Sequence, residues 1–210
     1  MKLATNLAVA LVLFATVASV GHAAERREFA EYKCAITPPG PSFEWLDHST
    51  IPHGAAFLAN GDKAKLVFLT FDNPQGEQID ERFVQGFEKG MAEGGDIVKD
   101  SGRQMTFCGV PCYEMRARVV RESMPVIIRV FAANGVIYQL QLLGTAVGGL
   151  EQSHLDRMFS AFEFVGTPEL PTPKGGNNSA SYKMGRLAGT CLLVALVLAL
   201  LGKVFKKKQA

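Results

Sequence analysis

The sequence predicts an α+β fold, an antiparallel β-sheet covered by helices, and three observations predict it. Between residues 42 and 165 the apolar pattern is mostly period two, the alternation of strands with unlike faces. Asn134-Gly135 separates two such runs, a strong hairpin signal, and hairpin-linked strands pair antiparallel. Two further segments, Gln78–Met91 and Gly149–Phe162, carry apolar residues at helical spacing and need a sheet to cover.

The elements follow in order. Ser42–Leu46 and Ala55–Ala59 are short strand candidates, and Lys65–Phe71 (KLVFLTF) is a strong one after the turn signal Asn60-Gly61-Asp62. In Gln78–Met91, Phe83, Phe87 and Met91 line one stripe. Gly86 and Gly90 lie on that stripe too, which points to close approach of this helix to a sheet. Each glycine lowers helix propensity by about 1 kcal/mol, so tertiary contacts must hold the helix. Asp96–Phe107 is the next strand. Tyr113–Arg121 alternates Tyr113, Met115, Ala117 and Val119 against Glu114, Arg116 and Arg118. Pro125–Ala132 and Val136–Leu143 then flank Asn134-Gly135. The closing helix puts Leu155, Met158, Phe159 and Phe162 on one face.

The chain has 210 residues, 48% of them hydrophobic and 20% charged, with a formal net charge of +2. That length suits one medium domain, and the apolar fraction excludes a disordered chain. The total hides an uneven distribution. Residues 24–182 hold 15 Lys and Arg against 20 Asp and Glu, so the body is near −5. A negative body argues against nucleic acid as a partner.

The two ends are unlike the body. Residues 1–23 have the layout of a secretory signal: Lys2, the apolar run Leu7–Val17, and Gly21-His22-Ala23 before a cleavage site. Residues 24–41 read as an N-terminal extension and 42–165 as the domain. The stretch 166–183 is rich in Pro, Gly, Asn and Ser and reads as a tether. Leu187–Leu201 is uncharged and, extended within 184–205, is long enough for a transmembrane helix. Lys206, Lys207 and Lys208 in the tail 206–210 outnumber Lys183 and Arg186 on the other side, which orients the tail to the cytoplasm. The expected protein is single-pass, its body exported to a periplasmic or other extracytoplasmic space. Its expected partners are the membrane, through the C-terminal helix, and another membrane or exported protein.

The body is similar to a known family. Phe107-Cys-Gly-Val-Pro-Cys-Tyr113 after a long strand, and Asn134-Gly-Val-Ile-Tyr138 opening a later one, resemble the PsbP-like superfamily over about 42–165. The resemblance implies an α/β/α sandwich around an antiparallel sheet and a non-enzymatic binding or assembly role. No metal or partner residues carry over from the family, because none match by position, and no cofactor is expected.

Export makes the cysteines informative. Cys108 and Cys112 are expected to face each other across a three-residue hairpin loop, within disulfide reach. A bridge from Cys34 to either one, or a redox-active pair, are the alternatives. His48 and His53 lie in a proline-containing loop and lack the helical spacing of a metal pair. No nucleophile elbow, zinc-protease helix or phosphate loop occurs, so no catalytic residue is assigned. Glu114, Arg116 and Arg118 share one strand face. With Arg121 and Arg129 nearby they are the candidate binding site for an acidic partner, the competing reading being salt bridges on a covered face. The alternative function is a membrane-anchored thiol or metal-dependent enzyme using Cys108 and Cys112.

Overall fold

The structure is a computed structural model that describes residues 25–40, 43–46, 56–60, 64–95, 97–120, 123–145, 147–173, 181–187 and 189. The expected signal, His48, His53, Arg121, Cys191, nearly all of the expected span and the basic tail lie outside the described residues. Among the described residues no helix is long and apolar enough to cross a membrane.

The fold is α+β and built on antiparallel sheets. The strands are β1 (Arg27–Phe29), β2 (Cys34–Ile36), β3 (Phe43–Leu46), β4 (Ala56–Asn60), β5 (Ala64–Asp72), β6 (Ile97–Phe107), β7 (Val110–Val119), β8 (Met124–Ala133), β9 (Val136–Leu143) and β10 (Phe162–Phe164). The helices are α1 (Glu81–Gly95), α2 (Gln152–Phe159) and the segment 181–187, here α3. The main sheet has the order β3-β4-β5-β9-β8-β7-β6, with the paired strands antiparallel. After β5 the chain crosses one face through α1 to the far edge. It then returns as the meander β6 to β9 and closes by pairing β9 with β5.

Strand alternation divides the core in two. Leu66 and Phe68 of β5, Cys112 of β7, and Tyr138, Leu140 and Leu142 of β9 face one side, with Leu155 and Phe159 of α2. Val67 and Leu69, Tyr113, Met115 and Ala117, and Ile128 and Val130 face the other, with Phe83, Phe87 and Met91 of α1 and Met184 of α3. These are the two periods read from the sequence, 2.0 across strands and 3.6 along α1.

Three expectations are corrected. The closing helix stops at Phe159, and Phe162 lies on β10. Ser160 Oγ donates to the Arg157 carbonyl at the helix end, and the apolar–polar–apolar triplet Phe162-Glu163-Phe164 pairs with β2 instead. The covering of that side is therefore half strand. A small sheet β1-β2-β10 lies on the α2 side of the core, and its strands β1 and β2 are drawn from residues expected to be an N-terminal extension. Lastly, the α1 glycines do not approach a sheet. A Cβ on Gly86, Gly90 or Gly94 would collide with Ser181, Tyr182 or Arg186 of α3. The helical stripe of Phe83, Phe87 and Met91 takes the sheet, and the neighbouring stripe of glycines takes α3.

The stretch expected to be a tether lies against the body over its first half. The Asn134 and Glu169 backbones and the Asn134 side chain exchange hydrogen bonds of 2.8 and 2.9 Å, and Gln78 Nε2 donates to the Pro171 carbonyl at 3.3 Å. Gly76 passes so close to Thr172 that no Cβ would fit, and its φ of 64° is a second reason for glycine there.

Candidate functional site

The candidate residues start from one strand. Alternation along β7 turns Tyr113, Met115 and Ala117 towards α1, which leaves Glu114 and Arg116 on the α2 side. In the sheet register Glu114 stands directly opposite Arg103 on β6 and Arg129 on β8. The three form a row across neighbouring strands, where cross-strand pairs of opposite charge are favourable.

The geometry is closely satisfied. Arg129 Nε and Nη2 both lie 2.8 Å from Glu114 Oε2, and Nη2 also donates to Asp156 Oδ1 of α2 at 2.6 Å. Arg103 Nε donates to Glu114 Oε1 at 3.0 Å, with Nη2 at 2.8 Å. Arg116 Nε stands 3.9 Å from the same oxygen, and its Nη2 donates to Gln152 Oε1 at 2.8 Å. Gln152 Nε2 in turn donates to Asp156 Oδ1 at 3.0 Å, which ties the first turn of α2 to the row.

Burial grades across this network. The Glu114 and Arg129 side chains are each 1% exposed, whereas Arg103 and Arg116 are 51% and 41% exposed. The Arg129 guanidinium also lies 4.3 Å from the ring centre of Phe159 and 5.0 Å from that of Phe107, within cation–π range. The hydrogen bond from Arg129 holds the Asp156 carboxyl below its ordinary value of 3.8.

The structure thus joins Glu114, Arg116 and Arg129, and adds Arg103, Asp156 and Gln152. It does not bring Arg118 to them. Arg118 makes a two-pronged pair with Asp100, its Nε and Nη2 at 3.0 and 2.7 Å from Oδ1, beside a register shift in β6. Arg121 lies outside the described residues.

The cysteine expectation is corrected. Phe107 pairs with Val110, so the turn is the two residues Cys108-Gly109, not a three-residue loop. Their φ values of 49° and 82° are both positive, the mark of a type I′ turn. That register sets Cys112 opposite Met105 and leaves Cys108 at the tip. Cys34, Cys108 and Cys112 are free thiols, the first and last buried and Cys108 exposed. Burial pushes Cys34 and Cys112 up to about 12, and it raises Cys108 as well. Thiols so placed are protonated at neutral pH, the opposite of an activated nucleophile. Among the described residues no group of three or more His, Cys, Asp or Glu is set to hold a metal.

At the turn end of the sheet a cleft of about 200 Å³ opens between Ile79, Asp80, Pro111, Ala132 and the strap residues Leu170 and Pro171. The Asp80 carboxylate is engaged in capping α1, accepting from the Phe83 N–H at 2.8 Å.

The fold is PsbP-like, as its likeness to a solved structure shows. The solution structure of cyanobacterial PsbP (CyanoP) from Synechocystis sp. PCC 6803 aligns with 72% of this chain and 99% of its own at 13% identity, with a TM-score of 0.54. A crystal structure from Bacteroides thetaiotaomicron covers 68% of this chain and 49% of its own at 7% identity, with a TM-score of 0.47. No family model matches the chain. No curated protein matches it either. The resemblance carried by the two hairpin motifs therefore holds at the level of fold, and both motifs form two-residue turns of the meander, Cys108-Gly109 and Asn134-Gly135.

Proposed function

We propose that the chain is a membrane-tethered, exported, non-catalytic binding or assembly module of the α/β/α type, whose partner is another exported or membrane protein. The observation that carries this reading is the charge balance of the Glu114 network. Three guanidiniums meet two carboxylates. The inner pair is sealed, and the outer guanidiniums of Arg103 and Arg116 are half exposed. They are held in place on a sheet, so an acidic group on a partner meets pre-oriented N–H donors at little entropic cost. The PsbP-like fold supports a binding role, and export and tethering rest on the two apolar ends of the sequence.

The test is capture of a partner from detergent extract by the full chain. Arg103→Ala with Arg116→Ala is expected to abolish capture without unfolding the body, because Glu114 keeps Arg129. Capture at low salt should also weaken as salt screens the exposed charges. Capture that ignores both the substitutions and the salt would overturn the reading.

A further inference from the structure

We propose that β6 takes an extended, acidic segment of the partner as an eighth strand of the main sheet. This rests on the reading of Arg103 and Arg116 as the site for an acidic group, and it makes the backbone of β6 the other half of the contact.

β6 ends the main sheet, with β7 as its one neighbour among the described residues. At 11 residues it is the longest strand of the molecule. Residues 98–104 are exposed without interruption, so neither helix buries this edge. An open strand edge presents unpaired backbone N–H and C=O groups, and proteins usually blunt it with lysine, proline or a bulge. Here the blunting is confined to one end. The register shift lies between Lys99 and Ser101, and Lys99 is the one lysine of the strand. From Ser101 to Phe107 the pairing with β7 is unbroken, and that stretch holds no lysine or proline.

The turn fixes which backbone groups face out. Cys108-Gly109 brings Phe107 and Val110 together as the hydrogen-bonded pair of a β-turn. Such pairs alternate along an antiparallel ladder. Met105, Arg103 and Ser101 therefore turn their N–H and C=O to β7, and Thr106, Gln104 and Gly102 turn theirs outwards.

An antiparallel strand bonded to those three outward residues sets alternate side chains opposite Met105, Arg103 and Ser101, in the more closely spaced kind of pair. All three stand on the α2 side, opposite Cys112, Glu114 and Arg116 of β7. A carboxylate opposite Arg103 meets its half-exposed guanidinium directly. Two residues on, a carboxylate opposite Ser101 reaches towards Arg116 across a side chain too small to block it. Two residues before the first acid, an apolar side chain lies on Met105, which packs partly buried against the core. From its N-terminus the segment thus reads apolar, any, acidic, any, acidic. The charges on this face favour acid over base. Arg118 is answered by Asp100, but Arg103, Arg116 and Arg129 share only Glu114 and Asp156.

The test is fluorescence anisotropy of a short dye-labelled peptide, threonines alternating with one valine and then two glutamates, added to the full chain in detergent at low salt. Methylating the backbone nitrogens of the threonines, which face β6, is expected to weaken binding by about tenfold or more. Methylating those of the valine and glutamates, which face away, is expected to leave it unchanged. Gln104→Pro removes an outward N–H and no bond to β7, so the body should fold and binding should fall. Lysines in place of the glutamates, or Arg103→Ala with Arg116→Ala, should abolish it. Binding that survives methylation of the threonines but is lost with the arginines would overturn the added strand and leave the acidic site standing. Binding indifferent to the arginines would overturn both. If the glutamate peptide does not bind at all, the added strand falls, while capture of the natural partner still tests the acidic site by itself. The methylated peptides act on the wild-type chain, so they decide even where Gln104→Pro fails to fold.

Discussion

Arg129 buries a guanidinium, with 1% of its side chain exposed. Such a charge is tolerable only because Glu114 and Asp156 compensate it and two rings pack on it. Breaking a buried pair from one side leaves the other charge uncompensated, at a cost of about 3–5 kcal/mol. Glu114→Gln is expected to lower the unfolding free energy by that order, read from urea midpoints. Adding Arg129→Met should recover part of the loss, because the residues act as one unit. Asp156 gives the network its acid limit. Its folded pKa is depressed by the bond from Arg129, while the unfolded value is the ordinary 3.8. The contribution is thus present above 3.8 and is lost as pH falls through the lower folded value. In Asp156→Asn the denaturant midpoint should fall less steeply on acidification than in the wild type.

At the scale of elements, the two-residue turn at Cys108-Gly109 decides what the cysteines can do. Cys108 is expected to react with a water-soluble maleimide in the native protein, and Cys34 and Cys112 only after unfolding. Mass mapping under non-reducing conditions should find all three free; a Cys108–Cys112 linkage would contradict the register. The strands of the meander, α1 and the Asn134-Gly135 turn were legible because each announces itself locally, by period or by turn chemistry. The Cys108 turn was not, since cysteine is no usual occupant of a left-handed position and the three residues between the two cysteines read as the loop. The register that follows moves the partner of Cys112 three residues, from Cys108 to Met105. The same limit applies to the charge row. Alternation placed Glu114 and Arg116 on one face, but Arg103 and Asp156 come from a strand and a helix whose registers are set elsewhere. β1, β2 and β10 are three residues each, too short to show a period.

At the scale of the molecule, β2 is fully buried between β1 and β10, and Phe162 packs with its ring centre 5.0 Å from that of Phe131 and 5.5 Å from that of Tyr138. A chain shortened to begin at Ser42 loses β1 and β2 and uncovers that aromatic cluster. It is expected to lose its cooperative thermal transition by circular dichroism, whereas a chain beginning at Ala24 keeps it. Phe162→Ala, which leaves the strands in place, should cost about 3–5 kcal/mol.

The pairing of β2 with β10 also sets an order of events in time. Arg26 meets Glu163, 137 positions later, across the small sheet. Whatever leads this chain through a tunnel or pore, its first strands emerge long before their partner. β1 and β2 can pair with each other at once, but the other edge of β2 waits for β10 until almost the whole body has followed. The meander β6 to β9 has only near neighbours to find and can assemble on arrival, but the closing contacts are distant and slow. The small sheet is therefore complete only when the end of the body has joined its beginning.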